Sequence, residues 1–283
     1  MTQSLAPTVR RRRLGAELRK LRERAGLTAA QAGALIGGNQ ARISNIEAGR
    51  YGVSADRVRT LACHYDCADA RLVNALASMT GDRKRGWWEE YRGTLSDALL
   101  DVAELEHHST SLTTAHTSNV PGLLQTLDHA REIMNQVVPS LPASETEHRA
   151  SFRIKRQAVL AGGDAVPYLA VIHEAALRMQ FGGRATAGRQ LRHLLRMGEH
   201  DHIRIRVIPF AAGAFPGSGQ PLYYLCGPVS QLDTVQLDQA HGSIVLDAEA
   251  QLHKYRGVLE RLTSLSLSEQ ESADFIHNVL KEL

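Results

Sequence analysis

The sequence predicts a small, mainly α N-terminal domain followed by a larger α+β domain. Three observations carry that division. A length of 283 residues is long for one domain and comfortable for two. Residues 14–79 show only helical periodicity, punctuated by caps and glycines, whereas β-branched or alternating runs appear only beyond residue 107. Charge divides the chain in the same sense: residues 1–85 hold 16 Lys/Arg against 7 Asp/Glu, and the remainder 17 against 23. The formal net charge of +3 therefore conceals a basic first segment, suited to a polyanion, and an acidic second one.

Hydrophobic residues make up 43% and charged residues 22%, which excludes a disordered chain. No apolar run approaches the roughly 20 residues that cross a bilayer, and MTQSLAPTVRRRR has charge without the apolar stretch of a signal peptide. The expectation is a cytoplasmic protein with no membrane partner. Cys63, Cys67 and Cys226 are an odd count, which argues against a disulfide framework and suits a reducing compartment.

Residues 1–13 read as a basic flexible arm. The run Arg10, Arg11, Arg12, Arg13 taken alone is a solvated tail, and beside a basic domain it becomes a candidate for phosphate or minor-groove contact. Leu14, Leu18 and Leu21 then recur at helical spacing until Ala25-Gly26. Thr28 can cap AAQAGALIG, and Asn39 can cap QARISNIEAGR after the turn at Gly37-Gly38. Ser54 caps a fourth helix with Val58, Leu61 and Ala62 inward, and a fifth runs from about Ala68 to Ser78. TGDRKRG, residues 80–86, reads as a hinge, so that Trp87 and Trp88 open the second domain, 87–283.

Beyond the hinge, helical periodicity runs from Tyr91 to Glu106, a strand is expected within 107–118, and Pro121 begins a helix. YLAVIHEA, IRIRVIPF, PLYYLCG and SIVLD read as strands, with a helix from Ala187 to Met197 between the first two. Helices over about 248–263 and 268–283 finish the chain.

A helix presented by a short turn fits the DNA major groove, where side chains near its start reach base edges. Gly37-Gly38-Asn39 supplies the turn. In the helix after it, Ile43 and Ile46 share an inner face and leave Gln40, Ala41, Ser44 and Asn45 on the others. The amides of Gln40 and Asn45 suit the paired donor and acceptor of adenine, Arg42 suits phosphate or guanine, and Arg50 is a candidate for phosphate or minor-groove contact.

Over about residues 14–67 the stretches LRKLRERAGLT, AGALIG and NQARISNIEAGRYGVSADRVRTLA resemble the XRE family, the phage-repressor and Cro-like helix-turn-helix regulators. The resemblance implies base reading by Gln40, Ala41, Ser44 and Asn45, and a structural ion pair between Arg22 and Glu47. Ala29 stands where some members carry a glutamine that holds a phosphate. VPGLLQT, IHEAALR, Gly182-Gly183, QLRHLL and IRIRVIPF are similar to a large actinobacterial group of such regulators, antitoxin-like in organisation. That resemblance implies a small partner protein encoded nearby.

The second domain contains His107, His108, His116, His129, His173 and Glu174, yet no HExxH, GxSxG or glycine-rich phosphate loop. The reading is therefore not an enzyme, with no cofactor. Cys63, His64 and Cys67 share a helix but lack further ligands for a zinc site, so no metal is expected. The combined expectation is a dimeric, sequence-specific transcriptional regulator of double-stranded DNA whose C-terminal domain receives a protein or small-molecule signal. Two alternatives stand beside it. One is an interaction adaptor that keeps the helix-turn-helix fold without DNA affinity. The other is a repressor responsive to a small ligand, with Phe210, Phe215, Tyr223 and Tyr224 lining a pocket, although such aromatics equally fill a core.

Overall fold

A computed structural model describes residues 6–80, 86–217, 220–239 and 242–283. The chain forms two compact units: one takes it through His108 together with Pro228–Gln231, the other takes Ser109–Gly227 and Leu232–Leu283. Most of the hinge expected at 80–86, residues 81–85, lies outside the described residues.

The first unit consists of α1 (Val9–Arg24), α2 (Ala29–Leu35), α3 (Gln40–Glu47), α4 (Ala55–His64), α5 (Ala70–Ser78), a 3-10 turn at Trp87–Tyr91 and α6 (Asp97–His107). Each of the first five helices starts at a side chain that accepts a backbone N–H from the next turn: Thr8, Thr28, Asn39, Ser54 and Asp69. Such caps satisfy donors that helix ends leave open, worth typically about 1 kcal/mol each. Leu14, Leu18, Leu21, Ile43, Ile46, Val58, Leu61 and Leu76 are buried between the helices.

Two glycines let backbones meet. A Cβ on Gly33 would lie 2.6 Å from the Asn39 carbonyl carbon, and one on Gly15 would lie 2.3 Å from the Glu47 carbonyl oxygen. The first closes α2 onto the turn before α3, and the second seats α1 against the end of α3. Both approaches exclude any larger side chain.

The basic arm expected over 1–13 requires correction where the chain is described. Residues 1–5 lie outside the described residues, but from Val9 the chain is helical, because Thr8 caps it and Val9 is buried with its N–H donated to Asp101 Oδ1 at 3.0 Å. The segment 87–107, expected at the start of the second domain, also differs. It folds in the first unit, where α6 packs against α1 and buries Trp88, Leu95, Leu100, Val102 and Ala103.

The second unit is built on a six-stranded mixed sheet. Its strands are β1 (Ser111–His116), β2 (Tyr168–His173), β3 (Ile203–Ile208), β4 (Leu222–Cys226), β5 (Thr234–Gln239) and β6 (Gly242–Leu246), in spatial order β3-β2-β1-β4-β5-β6. β1, β2 and β3 are parallel, linked by α7 (Leu127–Asn135) with α8 (Ala143–Arg156), then by α9 (Glu174–Arg178) with α10 (Gly183–Met197). β4, β5 and β6 continue antiparallel on the far side of β1. The helix expected from Pro121 instead begins at Leu127, after a 3-10 turn, because Thr126 accepts the His129 N–H and sets the start there.

α11 (Glu249–Leu265) covers one face of the sheet over Val171, Leu222, Tyr224, Val235 and Leu237. α12 (Glu269–Glu282) packs beside β3 and α10. The outer edge of β3 is closed by this C-terminal segment: Leu267 N–H donates to the Val207 carbonyl at 2.8 Å, and buried Ser272 Oγ accepts the Val207 N–H at 2.9 Å. Covering an edge in this way removes a template for unwanted strand pairing.

Candidate nucleic-acid interface

The recognition-helix candidate α3 starts at Asn39, whose Oδ1 accepts the Arg42 N–H at 3.0 Å. Ile43 and Ile46, 1% and 5% exposed, anchor its inner face. Gln40, Ala41, Arg42 and Ser44 are exposed, and Asn45 is half-buried while its carbonyl accepts the N–H groups of Arg50 and Tyr51. Gln40, Ala41, Ser44 and Asn45 thus form one polar stripe at i, i+3 and i, i+4 spacing. Arg50 is exposed in the turn that follows.

α2 enters this motif through a capping box in which Thr28 and Gln31 satisfy each other's backbone donors. Arg57 from α4 donates to the Ile36 carbonyl at 2.9 Å and holds the end of α2. The seat of α3 is the pair Arg22–Glu47: Nε to Oε1 is 2.6 Å and Nη2 to Oε2 is 3.0 Å, with both side chains 9% exposed. Arg22 Nη1 also donates to the Leu27 carbonyl at 2.6 Å, so one guanidinium ties α1, the turn before α2, and α3. The Tyr65 hydroxyl nearby is pushed up to about 12 by its burial and by the Glu47 charge.

The four arginines expected in the arm separate into two pairs. Arg10 and Arg13 are 9% and 5% exposed, which corrects their reading as surface contacts. Arg10 donates to the Met79 carbonyl at 2.9 Å at the end of α5, satisfying a carbonyl that helix geometry leaves open. Arg13 pairs with Glu17 at 3.2 Å and donates to the Gln231 carbonyl. Arg11 and Arg12 are exposed. The backbone of Arg11 abuts Gly49, and its guanidinium approaches Gly52, so it stands beside the turn that carries Arg50. Sequence reasoning saw a charge run; which members turn inward depends on carbonyls more than 60 residues away.

This arrangement, a short polar helix held against a bundle by caps, a buried ion pair and glycine contacts, is a helix-turn-helix domain, and the model of the family described as "Helix-turn-helix domain" matches residues 13–76. The chain belongs to the family described as "Domain of unknown function (DUF5753)", whose model matches residues 99–278. Neither the curated proteins nor the solved structures give a match. Among the described residues, no helix is long and apolar enough to cross a membrane, and no three His, Cys, Asp or Glu side chains are grouped to hold a metal ion.

Proposed function

We propose that the chain is a sequence-specific transcriptional regulator that reads double-stranded DNA with α3. The carrying observation is the stripe of exposed Gln40, Ala41 and Ser44 with half-buried Asn45, on a helix whose opposite face is fixed by Ile43, Ile46 and the Arg22–Glu47 pair. Amide side chains at the start of a helix in the major groove pair with adenine edges. Arg42, Arg50, Arg11 and Arg12 supply the phosphate contacts around them. The second unit provides dimerisation and receives the signal, from a small molecule or from a small protein encoded nearby. A dimer sets two α3 helices one turn of DNA apart, about 34 Å, and joins two weak half-site affinities through effective concentration.

The test is selection of bound fragments from random duplex DNA, followed by titration of the selected site. Asn45→Ala is expected to lose about 1–3 kcal/mol at one operator position and little on random duplex. Equal losses on both would remove Asn45 from the base-reading set.

The split among the arginines gives a second expectation. Arg11→Ala should weaken all duplexes alike and reduce the slope of log affinity against log salt by about 1, with the unfolding temperature unchanged. Arg10→Ala should lower the unfolding temperature and leave the salt slope as it was. The reverse pattern, read by salt titration and thermal melting of the two variants, would return Arg10 to the DNA surface.

A further inference from the structure

The second unit holds a cavity of about 240 Å³ at the C-terminal ends of β1, β2 and β3, roofed by α11. In open sheets containing parallel strands, ligands bind outside the carboxyl ends of those strands, where the strand order reverses. β1 is that point here, since β2 and β3 lie on one side of it and β4 to β6 on the other.

Most of the wall is apolar: Val171, Ile208, Leu222, Leu237, Val258 and Leu262 face the same space. Its polar lining includes two histidines at adjacent strand ends, His116 and His173, together with Thr117, Gln220 and Tyr255. His116 Nδ1 lies 2.7 Å from Asn119 Oδ1, which takes its proton as a hydrogen bond and leaves Nε2 an acceptor. His173 Nδ1 accepts the Ala175 N–H at 3.2 Å, so its proton sits on Nε2 and that nitrogen is a donor. Phe215, with its ring centroid 5.0 Å from that of His173 and inclined at 35°, adds an aromatic wall. Burial pulls both imidazoles below their ordinary pKa, so they are neutral near pH 7. The one charged side chain among the described lining residues, Lys254, is exposed to solvent.

We infer that this cavity binds a small, uncharged aromatic molecule bearing a hydroxyl or amide, its ring in the apolar half and its polar group shared between the His116 acceptor and the His173 donor. An apolar cavity of about 150 Å³ takes benzene, so the space here suits a molecule of about ten non-hydrogen atoms. A carboxylate inside would meet the single His173 donor and no buried cation, too little to offset its lost hydration.

The test uses the full chain without DNA, so that its outcome is independent of the DNA-binding reading. Binding of 2-naphthol, naphthalene and 2-naphthoate is measured by calorimetry and by the unfolding temperature. 2-Naphthol is expected to bind at least about tenfold more tightly than either relative, the hydrogen-bonded pair being worth about 1.4 kcal/mol or more. His173→Asn keeps an acceptor for the Ala175 N–H and removes the Nε2 donor; it should weaken 2-naphthol about tenfold and leave naphthalene unchanged. Val258→Trp, on the helical wall, should abolish binding of all three. Absence of binding by every probe to the wild-type chain would overturn the site. Tighter binding of 2-naphthoate, lost in Lys254→Gln, would overturn the uncharged class.

Discussion

Glu47→Ala is expected to destabilise the helical unit by about 3–5 kcal/mol, because it leaves the Arg22 guanidinium buried without its carboxylate. Both side chains of the pair are 9% exposed, and the contact is bidentate. An exposed ion pair would cost at most about 1 kcal/mol on the same substitution. Glu47→Gln, which keeps an acceptor but not the charge, should fall between wild type and alanine. The two tryptophans of the chain, Trp87 and Trp88, both lie in the first unit, so their fluorescence during urea unfolding reports that unit. A midpoint for Glu47→Ala within error of wild type would reject burial of the pair. On the proposed function the effect should also reach DNA binding, since α3 is seated through this contact and a loosened helix would read bases less selectively.

The second large effect belongs to His129 and to pH. The residue is 1% exposed, and neither ring nitrogen has a hydrogen-bond partner among the described residues. Phe181 meets it edge to face at 5.2 Å. Burial pushes its pKa down to about 4, with the Arg153 charge acting in the same direction. The unfolded chain binds this proton at about 6.5, so stability is complete above that pH and falls as the pH is lowered toward 4. The slope is about 1.4 kcal/mol per pH unit, and the full loss roughly 3 kcal/mol. His193, also lowered by burial, adds to the same trend. Amide exchange in β1 to β5, compared between wild type and His129→Leu from pH 7 to pH 4.5, isolates the contribution. Parallel profiles for the two proteins would assign the acid sensitivity of this unit to other groups.

Local chemistry made the helix-turn-helix legible. Thr28, Asn39 and Ser54 can be read as caps because capping needs only a side chain and the next three residues. Ile43 and Ile46 give the inner face of α3 by spacing alone, and β2, β3 and β4 announce themselves by their β-branched or alternating runs. What stayed hidden depends on distant partners. β5 offers only Val235 and Leu237 in alternation, and its polar residues Thr234 and Gln236 are buried instead of wet. α8 buries just Thr146, Ala150 and Phe152, too small a stripe to stand out among its charges.

The arm arginines and the aromatic pocket show the same limit. A guanidinium that closes a helix end 69 residues away looks, in sequence, like one in solvent. Of the four aromatics read as pocket candidates, Phe215 lines the cavity. Phe210 is 56% exposed against His173. The Tyr224 hydroxyl is committed to Asp233 at 2.8 Å and to Arg256 at 2.6 Å. The histidine pair in the cavity's polar lining comes from strand ends brought side by side only by β pairing.

The inclusion of Pro228–Gln231 in the first unit bears on the order in which the protein is made. α1 to α6 leave the ribosome about 120 residues ahead of that segment, an interval of roughly 6–24 s at the 5–20 residues/s typical of synthesis. Throughout it, Arg13 can hold Glu17 but not the Gln231 carbonyl, and Asp69 awaits the Gln231 amide that reaches it in the finished chain. The nascent helical unit is therefore a provisional structure, and a chain arrested before residue 228 carries the α3 surface on a bundle that lacks its last stitch.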